Sequence, residues 1–156
     1  MKALKQSGFL LLLLSIAFAG AAFQTAETCN SATLKQKAKE ALNPFKYDSG
    51  KVTRVLYKPK AQLKEIEVPV FIGEKYRMVF NTEALSKNVV ISVYNKDKET
   101  KNRKVLFTTK NAQPGKKIHV YEPEQAKFKF YVDYEIPSAK DSTATPECLI
   151  FMLGYR

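Results

Sequence analysis

From residue 51 onward, apolar and polar side chains alternate along most of the chain. Ile66, Val68, Val70 and Ile72 share one face of an extended segment, with Glu65 and Glu67 opposite. Tyr76, Met78 and Phe80 alternate with Lys75, Arg77 and Asn81. Val89, Ile91 and Val93 predict another strand, and residues 104–109 and 117–122 predict two shorter ones. The clearest alternation sets Phe128, Phe130, Val132, Tyr134 and Ile136 against Lys127, Lys129, Tyr131, Asp133 and Glu135. Cys148 to Tyr155 is more uniformly apolar, as a central strand covered on both faces requires. With Lys51 to Lys58, the pattern predicts about eight strands. Gly73-Glu74 separates two of the runs and predicts a hairpin turn. Pro69 places its strand at a sheet edge or at a bulge. Asn95 to Arg103 reads as a charged turn, and Ser138 to Pro146 as a polar loop, the least ordered stretch expected.

Ahead of the strands the period is helical. Leu34, Ala38, Ala41 and Leu42 approximate one apolar face among lysines. Asn30 or Ser31 can cap this helix, and Asn43-Pro44 ends it, because proline disfavours the helical conformation in the residue before it. The expected fold is mostly β: an antiparallel β-sandwich or jelly roll with one short N-terminal α-helix on one side or end of a sheet.

Residues 1–22 have a different character. Lys2 and Lys5 lead into an apolar run from Phe9 to Phe18, broken only by Ser15 and followed by small residues. That is the layout of a cleavable signal peptide. A transmembrane anchor needs about 20 mainly apolar residues, more than this run supplies. Ala17-Phe18-Ala19 and Ala19-Gly20-Ala21 both fit the cleavage site. Cys29 lies too far downstream, after Thr28, to carry a lipid anchor. Residues 23–156 are then expected to form one periplasmic or secreted domain, with no transmembrane anchor after cleavage.

That address changes the reading of two cysteines. In an oxidising compartment Cys29 and Cys148 are most simply a disulfide, with free or intermolecular thiols as the alternative. Their spacing fits neither a CxxC redox motif nor a zinc site.

The address also redirects the charge. The net charge is +11, and removing the leader takes away Lys2 and Lys5 but no acid, so the mature domain stays strongly basic. Outside the cytoplasm such charge favours anionic cell-envelope polysaccharide, including lipopolysaccharide, over nucleic acid. No nucleic-acid-binding motif is present. The same lysines also keep sheet edges from pairing.

The segments Gly73-Glu74-Lys75-Tyr76-Arg77-Met78-Val79-Phe80, Val90-Ile91-Ser92-Val93-Tyr94 and Lys129-Phe130-Tyr131-Val132 resemble those of bacterial pre-peptidase C-terminal domains. The resemblance implies a small jelly roll, a fold used there as an appendage to secreted enzymes. This chain departs from that pattern in its N-terminal helix and in carrying no protease. Its ending, Cys148-Leu149-Ile150-Phe151-Met152-Leu153-Gly154-Tyr155-Arg156, is similar to the last strand of small secreted proteins of Bacteroidota-type bacteria. That likeness implies export and fold, and brings no activity.

Candidate chemistry is sparse. His119 is the only histidine, and no GxSxG or HExxH motif accompanies it, so a surface or packing role is expected. Glu65 and Glu67 share a strand face, as paired acid-base carboxylates would, but also as any solvated face would. Asn95, Asp97 and Glu99 have the alternate spacing of calcium ligands, without the glycine of an EF-hand loop. No catalytic residue, metal or cofactor is assigned. Tyr131, Lys129, Lys127 and Phe71 are the candidate binding residues, since outward aromatics among lysines can stack on sugars; packing against another element is the alternative, for these and for Tyr94. Asp141-Ser142-Thr143 resembles an O-glycosylation acceptor of Bacteroidota secretory systems. The expected function is a non-enzymatic binding or envelope-structural domain that contacts anionic polysaccharide or another secreted protein. The alternative is an accessory or inhibitory module for a secreted enzyme.

Overall fold

One helix, α1 (Ser31–Leu42), precedes the strands β1 (Lys46–Val55), β2 (Gln62–Pro69), β3 (Tyr76–Asn81) and β4 (Val90–Tyr94). After these come β5 (Val105–Thr108), β6 (Ile118–Tyr121), β7 (Lys129–Ile136) and β8 (Glu147–Tyr155). This computed structural model describes residues 29–124, 128–143 and 145–156, so the signal segment read at 1–22 lies outside the described residues.

The strands form two four-stranded antiparallel sheets, ordered β1-β8-β3-β6 and β2-β7-β4-β5. The pairs β1/β8, β2/β7, β3/β6 and β4/β5 are those of one long hairpin rolled up on itself, the jelly-roll order. The expected fold class holds, and β2 with its Pro69 is an edge strand as expected. The other edge device is Lys64, which faces inward and donates from Nζ to the Arg54 carbonyl at 2.8 Å.

The Gly73-Glu74 turn differs from its expectation. Gly73 has φ +104°, which suits glycine, but β2 and β3 belong to different sheets. The turn therefore carries the chain across the end of the sandwich and closes no hairpin. Alternation reports which face of a strand is apolar; it does not report the neighbouring strand.

The core lies between the sheets. Met78, Phe80, Phe151 and Leu149 from one sheet meet Ile91, Phe130, Val132 and Tyr134 from the other, all buried. Each such side chain contributes roughly 1.5–3 kcal/mol through removal from water. A second cluster lies outside the first sheet, where Leu34, Ala38 and Leu42 of α1 cover Val79, Ile150 and Met152. β8 is thus covered on both faces, which explains its continuous apolar run. Asn30 Oδ1 accepts from the Thr33 N–H at 3.3 Å and caps the helix. A disulfide joins Cys29, just before α1, to the buried Cys148 at the start of β8. At the other end of α1, a Cβ on Gly154 would meet Leu42 Cδ2 at 2.9 Å, so glycine permits the close approach of helix and sheet.

Two described residues of the loop at 138–146, Ala139 and Thr143, bond to the segment that follows β1. Ala139 N–H donates to Lys58 O at 2.8 Å, and Tyr57 N–H donates to Thr143 Oγ1 at 3.1 Å. These bonds satisfy backbone groups that the composition of the loop leaves unannounced.

Candidate binding surface

β2 and β7 lie side by side, with Pro69 opposite Lys129 and Glu67 opposite Tyr131. One further bond, Val70 N–H to Phe128 O at 3.0 Å, carries the pairing past Pro69. Beyond it the chain presents apolar side chains to solvent. Phe71 is 79% exposed, Ile72 60% and Phe128 73%. Ile72 and Phe128 were expected on the inward faces of their strands. Both stand past the last residue that the opposite sheet covers, and neither packs inward. The segment is held rather than trailing, because Phe71 N–H donates to the buried Tyr76 hydroxyl at 3.0 Å. Large apolar groups clustered in this way mark interaction sites more often than lone surface leucines do.

The sequence-selected residues fall around this tip. Tyr131 is half-buried on the outer face of its sheet, between Glu67 and Tyr94. Lys129 Nζ forms an ion pair with Glu67 Oε1 at 2.6 Å, and that hydrogen bond raises the lysine pKa. Lys127 lies outside the described residues. The register thus brings Phe71, Lys129 and Tyr131 to one end of the β2–β7 pair. Lys129, however, is engaged with a carboxylate of its own chain.

A polar cluster covers the rest of this outer face. Glu65 and Asp133 are directly opposed on β2 and β7. Arg103 Nη2 meets Asp133 Oδ2 at 2.6 Å, and its Nη1 meets Glu65 Oε2 at 3.3 Å. The same guanidinium lies 3.7 Å from the centre of the Tyr94 ring. Lys98 N–H donates to Glu65 Oε2 at 2.8 Å. Burial raises the Glu65 carboxyl; the Lys98 N–H partly offsets this, and the charge of Asp133 adds to it. The charged turn at 95–103 is therefore strapped over the sheet through Arg103. Glu65 and Glu67 do not act together: Glu67 turns to Lys129, and the carboxylate that meets Glu65 is Asp133.

The suggested calcium ligands are occupied by their own loop. Asp97 Oδ1 accepts from the N–H groups of Glu99 and Thr100, both at 2.9 Å. Its Oδ2 accepts from the Thr100 hydroxyl, which lowers the carboxyl pKa. Asn95 Oδ1 accepts from Lys104 N–H at 2.7 Å. Among the described residues, no three His, Cys, Asp or Glu side chains are grouped to hold a metal ion. His119 is buried opposite Phe80, and burial, then Lys116 and Lys117, lowers its pKa. Of its two expected roles, the structure places it in packing. Ser142 is exposed, between Asp141 and a Thr143 that bonds to Tyr57.

The sequence reading missed Arg103, Asp133, Ile72 and Phe128 as members of this surface. Asp133 and Arg103 meet only through strand register and a loop that folds back. Comparison with family models, with curated proteins and with solved structures finds no match for this chain.

Proposed function

We propose that the chain is an exported, non-catalytic binding domain that engages another secreted protein through the tip formed by Phe71, Ile72 and Phe128. The observation that carries this reading is the exposure of three large apolar side chains on two segments joined by the Val70–Phe128 bond. Water disfavours such a cluster, and an apolar partner surface removes the penalty. The tip favours a protein over an anionic polysaccharide, because its exposed groups are apolar and Lys129 beside it already holds Glu67. Export is supported by the leader-like residues 1–22 and by the disulfide between Cys29 and Cys148.

A photo-crosslinking side chain placed at Phe71 tests the reading in the secretion medium of the host. It should capture one discrete partner, whereas the same probe at Lys110, on the opposite end of the sandwich, should not. Capture that is equal at both positions, or absent at both, would contradict the proposal.

A further inference from the structure

Away from the tip, a recess of about 270 Å3 opens between α1 and the edge strand β1. Its floor is apolar, made by Val52, Ile150 and Met152. Tyr47 forms one wall, and at Gly50 the strand passes close to β8, where a Cβ would meet the Phe151 carbonyl oxygen at 3.0 Å. A Cβ on Gly50 would lie 3.4 Å from the Tyr47 hydroxyl and 3.5 Å from Met152 Cγ. The volume is near the lower end for small-molecule sites, which begin at roughly 300 Å3.

The rim has one sign of charge. Lys35 and Lys39 stand one helical turn apart on the side of α1 that faces β1, and Lys51 completes the rim from the strand. Among the described residues, none of these three ammonium groups forms an ion pair, whereas Lys37 on the same helix is matched by Glu83 at 2.8 Å. Like charges one turn apart oppose a helix rather than support it. An anion at the rim would relieve the repulsion among these lysines.

We infer that this recess binds a small anionic amphiphile, with a carboxylate or phosphate head held by Lys35, Lys39 and Lys51 and an apolar body on Val52, Ile150 and Met152. The head supplies the charge complement, and the body lies in the gap between α1 and β1, against the edges of Val52, Ile150 and Met152 that line it. The disulfide at Cys29–Cys148 fixes α1 against β8, so the gap between helix and strand is set before a ligand arrives. The site is distinct from the apolar tip and stands whether or not the tip binds a protein.

Calorimetric titration of the purified chain tests the assignment with four probes: decanoate, decyl phosphate, decanol and acetate. The two anionic amphiphiles should saturate a single site. Decanol should bind about tenfold more weakly, and acetate should show no saturable binding. The variant K35E/K39E should lose about tenfold or more in decanoate affinity with an unchanged Tm, since both lysines are exposed. V52F should weaken decanoate and decanol alike by filling the floor. Equal affinity for decanoate and decanol would overturn the inference, as would full binding by K35E/K39E or no binding at all. Decanoate binding that is lost in F71S/F128S but retained in K35E/K39E would place the ligand at the tip and overturn it too.

Discussion

Glu65 and Asp133 face each other across β2 and β7, and one guanidinium, that of Arg103, reaches both carboxylates. Asp133 is 1% exposed, and its second oxygen, Oδ1, has no hydrogen-bond partner in the structure. The acid pair is therefore held together by a residue from a loop that is distant in sequence. Arg103 fixes that loop through the same contacts and covers Tyr94 as it does so.

Arg103→Met should cost about 3 kcal/mol at neutral pH, because it leaves a buried carboxylate facing a second one without a counter-charge. Asp133→Asn in the same background should recover part of the loss. Urea unfolding of the three proteins measures this. A single-variant loss below about 0.5 kcal/mol would mean that the cluster behaves as an ordinary surface ion pair.

The Glu65 carboxyl is raised from its usual value of 4.5 in the folded protein. The folded state therefore keeps this proton to higher pH than the unfolded chain does. From 4.5 up to the raised folded value, this group lowers stability as pH rises. Glu65→Gln removes that titration. The stability of E65Q relative to wild type should then increase as the buffer moves from about pH 4 to about pH 7. His119, whose pKa is held below its usual 6.5, contributes the opposite slope below that value, and it cancels in the comparison. A constant difference between the two proteins across this range would contradict the assignment.

The Cys29–Cys148 bridge closes nearly the whole described chain, with a sequence separation of 119. It also ties α1 to β8. Reduction, or the double change to serine, should lower stability by about 4 kcal/mol in the chain-entropy account. The denaturation midpoint with and without reductant measures this. Near-identical midpoints would show that α1 docks without its tether.

Tyr134 is fully buried between the sheets, and neither its hydroxyl nor Thr53 Oγ1 makes a hydrogen bond. The two groups are close enough for the threonine to influence the phenol, yet they do not pair, and burial keeps the phenol protonated. Replacing both by apolar groups of similar shape, T53V/Y134F, should leave stability unchanged or raise it by about 1 kcal/mol. A loss of more than about 1 kcal/mol would show that a hydrogen bond forms there in solution.

Much of the architecture was legible because burial of one face imposes alternation. Phe130, Val132, Tyr134 and Ile136 pack inward as their spacing requires. Cys148 to Leu153 runs apolar because α1 covers one face of β8 and the opposite sheet covers the other. Pro69 marked an edge because it has no N–H to give a neighbour. Ile72 and Phe128 misled for the same reason that the others succeeded: they continue the alternation past the point where anything lies opposite. The Glu65–Glu67 pairing suggested itself because both residues sit on one strand. The contact with Asp133 depends on which strand lies alongside, and single-strand periodicity does not carry that information. The recess beside α1 depends on how far the helix stands from β1, which is a packing distance and not a pattern.

The double variant F71S/F128S tests the apolar tip as a binding surface most directly. Both side chains are exposed, so the double variant should keep the Tm of the wild type within a few degrees. Its affinity for the partner captured at Phe71 should fall by about a hundredfold, as the loss of two aromatic anchors implies. Unchanged affinity with an unchanged Tm would contradict the account, since the tip would then be exposed without contributing to recognition.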